Sequence, residues 1–438
     1  MKLFAVALVA MFPASLSQAA NWPQFRGPFF NGSTDESGLP TRWSQDENVA
    51  WVADLPAASA ATPAIWGDHI FVSAPNSKGN ALVAICFDRK TGKELWMQGA
   101  ALGDIRKDHR SNFASPSPAT DGEVAVFFYG TGDLVAYDFT GGEVWHRNLQ
   151  EDFGDFAFQW TFSTSPLLYD GRLYIQVLQR DTAVDGRGGP PGTNKSYLLA
   201  LDPKTGNTLW QQFRPSEARQ ESLEAFTTPV PFESNGTKQI LVVGGDDLTG
   251  HDAENGVELW RWGTWNPERI THWRLVPSPV VASDVVLVCA PKRNPVYAIR
   301  PNGSGWLGPE AIAWHSLGVR RLTSDVPTPA YYDGDFFVLS DLRKALTRVE
   351  PASGEVLWRR DLPGSPKIEA SPLTADGKVY LVDFEGTVVV VDAESSEILS
   401  QISMDDPAPE SEPVRSGVIA SQGQLFVKTT TKLFCIGE

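Results

Sequence analysis

The stretch Asp202-Pro203-Lys204-Thr205-Gly206-Asn207-Thr208-Leu209-Trp210 decides the fold. Its acidic and hydroxyl side chains can hold backbone amides of a tight turn, and its glycine supplies the positive φ that closes one. The apolar run before it, residues 198–201, and the Leu-Trp pair after it are then the two strands of a hairpin. The same spacing returns at Asp88, Thr91, Gly92, Leu95 and Trp96, at Asp252, Asn255, Gly256, Leu259 and Trp260, and at Glu350, Ser353, Gly354, Leu357 and Trp358. A shortened copy runs from Asp138 through Gly141 and Gly142 to Trp145, and decayed copies run from Arg300 to Trp314 and from Asp392 to Leu399. Leu and Trp of each copy are expected to fill the gap between neighbouring sheets.

A second mark precedes each turn: Thr62-Pro63, Ser117-Pro118, Ser165-Pro166, Thr228-Pro229, Ser278-Pro279, Thr328-Pro329 and Ser371-Pro372. Most are followed by an apolar pair, a Gly/Asp turn and another β-run, as in Asp170-Gly171-Arg172-Leu173-Tyr174-Ile175. Each unit of about 40 to 65 residues thus holds four antiparallel strands, which is a propeller blade. Outer strands end at Trp51, Trp96, Trp145, Trp210, Trp260, Trp314, Trp358 and Ser400, which makes eight. Three strands follow Ser400 without a fourth, and residues 48–51 form an outer strand with no blade before it. Joining these pieces completes one blade and removes exposed sheet edges. The expected fold is all-β: a single eight-bladed β-propeller over residues 48–438, after an N-terminal extension at 21–47.

Residues 1–20 read as a signal peptide, with Lys2, an apolar run at 3–12 and small residues at Ser17 and Ala19. The chain is therefore expected to be exported, to the periplasm or beyond the cell. No later segment approaches the roughly twenty apolar residues of a spanning helix, so no transmembrane segment is expected, and the mature chain is expected to be a monomer. Cys86, Cys289 and Cys435 are few, odd in number and set in apolar runs, as buried core residues rather than staples. A net charge of -16 argues against nucleic-acid partners and anionic lipid. Hydrolase, zinc-protease and nucleotide-binding motifs are missing, and six scattered His residues predict no metal site.

The Asp-x-x-Thr-Gly-x-x-Leu-Trp units resemble the PQQ-type propeller repeat of quinoprotein alcohol dehydrogenases and of the propeller subunit of the outer-membrane barrel-assembly machinery. The opening Asn21-Trp22-Pro23-Gln24-Phe25-Arg26-Gly27-Pro28 is similar to the start of exported bacterial PQQ-binding-like repeat proteins. The resemblance implies the fold strongly and the activity weakly, because the shared residues are turns and packing anchors. A quinoprotein dehydrogenase would hold PQQ and Ca²⁺ in the central funnel. The adjacent cysteines and the haem-binding Cys-x-x-Cys-His of such enzymes have no counterpart here, so no catalytic residue is assigned and the cofactor stays unknown, with PQQ a candidate.

The loops entering the inner strands should rim the axial funnel. They carry His109, Arg110, Gln159, Trp160, His272, Trp273, Arg274, Arg320, Arg321, Asp325, Lys367, Glu369 and Arg415. Converging guanidinium groups can pair with a carboxylate or phosphate, and Trp160 or Trp273 can stack on a planar ring; alternatively, these charges pair with neighbouring acids and line a wet channel. The function expected is an exported, non-catalytic scaffold that takes a small anionic ligand or a protein partner. The alternatives are a PQQ-dependent dehydrogenase and an assembly-factor-like subunit. The Gly/Pro-rich insertion at 181–195 should project from the same face as the funnel loops.

Overall fold

A computed structural model describes residues 21–44, 47–102, 108, 110–263, 265–319, 321–364, 366–404, 406 and 412–437. Residues 1–20, read from the sequence as a signal peptide, and His109 and Arg320 lie outside the described residues. Eight antiparallel sheets follow one another around an axis, and in all but the last the four blade strands run from the inner edge outward in chain order. Blade 1 spans residues 64–102, blade 2 119–148, blade 3 167–213, blade 4 230–262, blade 5 280–315, blade 6 330–361 and blade 7 373–403. Blade 8 takes three strands from residues 419–436 and its outer strand from Val49–Asp54, which pairs antiparallel with Lys432–Ile436. The ring is closed by this ladder, as the strand count requires.

The turn motif fastens each blade to the next. The indole of Trp145 lies on Gly206 of the following blade, where an added Cβ would sit 2.7 Å from the ring, and its Nε1 donates to the Pro203 carbonyl at 2.8 Å. Trp51, Trp96, Trp210 and Trp314 stack in the same way on Gly92, Gly141, Gly256 and Gly354. Their indole nitrogens donate to Arg89, Phe139, Ala253 and Pro351 carbonyls. The glycine thus has two reasons: a φ of +70° at Gly206, and no room for a side chain under the neighbour's indole. The acidic residue closes its own turn, as where Asp88 Oδ1 accepts from Thr91 N at 2.8 Å and Thr91 Oγ1 at 2.6 Å.

The leucine of the motif departs from expectation. Leu95, Leu209 and Leu357 are 45%, 49% and 45% exposed, because neighbours along a strand face opposite sides and the blades splay at their outer edges. Two decayed copies have structural substitutes. In blade 5 the residues after Arg300 loop outward, and Gly305–Trp306 pairs in parallel with Trp260 and Arg261, giving blade 4 a fifth strand. Trp260 turns onto Gly250 of its own blade and donates to Gln239 at 2.7 Å. In blade 7, Ser400 replaces the tryptophan; there Trp43 of the N-terminal extension is buried, with Nε1 3.4 Å from the Met404 sulfur.

The Ser/Thr-Pro marks form a belt around the axis. The backbone N–H of Thr62 donates to Ser117 Oγ at 2.9 Å, Ser117 to Ser165 at 3.0 Å, and Ser165 to Thr228 at 3.3 Å. Thr228 donates to Ser278 at 2.9 Å, Ser278 to Thr328 at 3.0 Å and Thr328 to Ser371 at 3.0 Å. Each hydroxyl satisfies an amide that the inner strand, with no partner toward the axis, would leave buried and unpaired. The belt breaks at blade 8, where Gly417 follows Ser416 and carries no hydroxyl.

Candidate functional site

The extension at 21–43 runs as a strap across one end of the axis. Trp22 exchanges backbone hydrogen bonds with Ile65 of blade 1, Pro23 accepts from Thr120 of blade 2, and the Gln24 amide bridges Leu168 of blade 3. Asn31 accepts from Tyr331 of blade 6, and Gly32 from Thr374 of blade 7. Every contact falls on an inner strand beyond its Ser/Thr-Pro start, so the strap closes the end away from the entering loops. What remains is a blind axial cavity of about 180 Å³.

Trp22, Phe25 and Arg26 line its floor, the hydroxyls of Thr62, Ser117, Ser165, Thr228, Thr328 and Ser371 its waist, and Asp108, Arg110, Trp160, Arg274, Glu369 and Arg415 its mouth. Phe226, Val276, Val326, Val418 and Ile419 give the wall between them an apolar surface. Of the residues read from the sequence, Arg110, Trp160, Arg274, Glu369 and Arg415 meet here. Asp325 and Lys367 stand beside them, 3.9 Å from Arg274 and 4.0 Å from Glu369. The others go elsewhere. Gln159 bonds Arg180 and accepts from Arg187 through its carbonyl, Arg321 pairs with Asp361 on an outer strand, His272 is exposed, and Trp273 packs against the core between blades 4 and 5. His109 and Arg320 fall outside the described residues.

The cations do not form a bare ring; carboxylates are interleaved with them. Arg415 donates to Glu369 at 3.0 Å, and Arg110 approaches the other Glu369 oxygen at 4.0 Å while lying 5.8 Å over the Trp160 ring. Trp160 Nε1 donates to Glu221 at 2.9 Å, and Arg274 sits between Glu221 at 3.8 Å and Asp325 at 3.9 Å. At those separations Arg274, 4% exposed, makes ion pairs without hydrogen bonds, and its Nη1 has no hydrogen-bond acceptor. Arg110 Nε and Arg26 Nε are likewise buried and unpartnered. Asp108 is fully used: Oδ1 accepts from Arg110 N and Ser111 N, Oδ2 from Thr161 N and Oγ1.

Sequence reasoning missed Asp108, Glu221, Arg26 and Asp341. Asp341 accepts from Asp325 N at 3.0 Å behind the mouth, and burial, with Asp325 and Glu369 nearby, raises its carboxyl to about 6. Among the described residues no cluster of three or more His, Cys, Asp or Glu is placed to hold a metal ion. All three cysteines are buried and unpaired in different blades, and burial pushes the Cys86 and Cys435 thiols up to about 12. None of them lines the cavity.

The family model described as outer membrane protein assembly factor BamB matches residues 33–156, 81–311 and 307–436, nearly the whole described chain. The chain belongs to this family. Among solved structures, this BamB-family chain is similar to BamB from Moraxella catarrhalis at 13% identity and a TM-score of 0.57, covering 89% of this chain and 99% of that one. It is similar to a europium-containing methanol dehydrogenase at 9% identity and 0.68, covering 96% and 98%, and to quinohemoprotein alcohol dehydrogenase from Comamonas testosteroni at 13% and 0.62, covering 95% and 80%. At such identities the likeness is one of fold. No curated protein sequence matches the chain. Among the described residues no helix is long and apolar enough to cross a membrane.

Proposed function

We propose that this propeller is an exported, non-catalytic binding protein whose blind funnel takes a small molecule bearing a carboxylate or phosphate. The observation that carries the reading is the set of unpartnered guanidinium N–H groups of Arg26, Arg110 and Arg274 on one cavity. A buried donor without an acceptor costs roughly 1 to 3 kcal/mol, and more when charged, so an acidic ligand supplies the acceptors that the protein does not. Trp160 and the Val/Phe wall suit a planar or aliphatic body.

PQQ, implied by the wider fold family, carries carboxylates that Arg110 and Arg274 would hold, with the ring on Trp160; bound, it would supply two-electron oxidation. The residues fit its charge. They offer less for its chemistry, since both carboxylates lining the cavity, Asp108 and Glu369, are engaged by protein donors and no thiol faces it. Binding without turnover is therefore the better reading.

Isothermal titration with PQQ, benzoate and phenyl phosphate tests it, comparing the native chain with Arg274→Gln. Measurable affinity that falls at least tenfold in the variant supports the funnel site. Absence of heat from all three ligands rejects it. A protein-docking role is the second reading, favoured by the family match. It would use the same face, where the 181–195 insertion folds over the blade 3 entering loop through Arg187 Nη2 to Gln159 O at 2.7 Å. Cross-linking in cells that captures one defined exported partner, lost on deletion of 183–193, would establish it.

A further inference from the structure

Arg26, Arg214 and Lys428 are among the buried cations of the described chain, and they differ in what surrounds them. Arg214 spends its guanidinium on Thr249 Oγ1 and on the carbonyls of Gly244, Val242 and Asp247, with the Asp247 carboxylate nearby. Lys428 donates to Ser59 O. Arg26 reaches only carbonyls, Pro372 at 2.9 Å, Pro329 at 2.8 Å and Asn31 at 3.3 Å, and keeps an unpartnered Nε. Among the described residues no carboxylate lies within ion-pair distance of it. Desolvation alone lowers it, to about 9, with no opposing acid. A charge buried without a counter-charge is costly, yet the strap is shaped around this one. A Cβ at Gly32, where φ is +83°, would strain the backbone and displace the Arg26 guanidinium from its carbonyl partners.

Arg26 lines the floor of the cavity whose mouth carries Arg110 and Arg274. We infer that the funnel ligand is a dianion with two acidic groups separated by an apolar body, one paired at the mouth and the other neutralising Arg26 at the floor. The apolar wall of Phe226, Val276 and Val326 between the two ends matches such a body. This inference rests on the funnel reading above and narrows it to α,ω-diacids.

Terephthalate and benzoate share one ring and differ by a second carboxylate, so they separate the two claims. Titrated into the native chain, terephthalate should bind at least tenfold tighter than benzoate. Arg26→Gln should bring terephthalate down to the benzoate level, and Arg26→Lys, which keeps the charge, should preserve a preference of at least threefold. Folding of each variant is checked by circular dichroism, and if Arg26→Gln does not fold, the Arg26→Lys ratio decides, a ratio near one overturning the inference. Benzoate binding with no gain from the second carboxylate would overturn the floor site and leave the mouth site standing. Failure of both probes to bind would overturn the floor site, and the mouth site falls with it only if PQQ and phenyl phosphate also give no heat.

Discussion

At the scale of single residues, the repeat glycine and the repeat tryptophan are one device. Gly206 needs its positive φ and also vacates the space that the Trp145 indole fills, whereas Gly236, with φ +74°, meets nothing within 4 Å of an added Cβ. Replacing either by alanine incurs the left-handed backbone cost, about 1 kcal/mol; only Gly206→Ala also displaces an indole, adding roughly 1 to 3 kcal/mol of overpacking. Urea unfolding should therefore rank Gly206→Ala clearly below Gly236→Ala, and equal losses would mean the indole contact contributes nothing. Lys428 offers a second residue-scale test. Burial lowers its ammonium from 10.5 to about 7, so between those values the unfolded chain binds a proton that the folded chain does not. Stability attributable to this group must then rise as pH increases from 7 toward 10.5, by at most about 1.4 kcal/mol per pH unit. Below pH 7 the penalty is constant. Lys428→Met should remove that rise, seen as melting temperatures that converge with the native chain near pH 10 and exceed it at pH 6.5.

At the scale of elements, the hydroxyl belt explains why the inner strands of blades 1 to 7 open with Ser or Thr before proline. Ser165→Ala would strand the buried Ser117 N–H, now 3.0 Å from that hydroxyl, at a cost of about 1 to 3 kcal/mol. Completing the belt at Gly417 does not follow from the same logic. A Cβ there falls 2.9 Å from the Ser371 carbonyl, which is backbone and cannot step aside cheaply. Gly417→Ser is accordingly expected to destabilise, by about 1 to 3 kcal/mol, and a raised melting temperature would show that the gap in the belt is an accident. Much of this was legible in advance: the turn motif, the Ser/Thr-Pro marks and the count of outer strands give eight blades because their spacing is local chemistry. Two features were not. Leu95, Leu209 and Leu357 of the motif face outward because the splay of blades is a property of the ring, and the fifth strand at Gly305–Trp306 replaces a decayed turn with a pairing that no periodicity announces. The site was half legible for the same reason. Arg110, Trp160, Arg274, Glu369 and Arg415 could be found from their place before an inner strand, whereas Arg26 reaches the axis only because the strap crosses five blades to put it there.

At the scale of the whole molecule, the ring has one joint that the chain does not make covalently. The four core strands of every blade but the last come from one continuous segment; blade 8 depends on Lys432–Ile436 lying between Gln424–Lys428 and Val49–Asp54. Removing that central strand would leave two unpaired edges facing each other across a missing strand, and exposed edges of this kind pair with other chains. The loss is also of core, since Leu433, Phe434, Cys435 and Ile436 are all buried in the cluster that joins blade 8 to blades 1 and 7. At roughly 1.5 to 3 kcal/mol for each large buried apolar side chain, Leu433, Phe434 and Ile436 together approach the whole net stability of a typical domain, roughly 5 to 15 kcal/mol. A chain ending at Thr431 should therefore not persist as a native monomer. Sedimentation should find it in oligomers, and heating should show no cooperative transition at the native temperature. A monodisperse chain with the native melting temperature would instead locate the closure elsewhere, in the strap, whose hydrogen bonds to the inner strands of blades 1, 2, 3, 6 and 7 are the remaining ties across the axis.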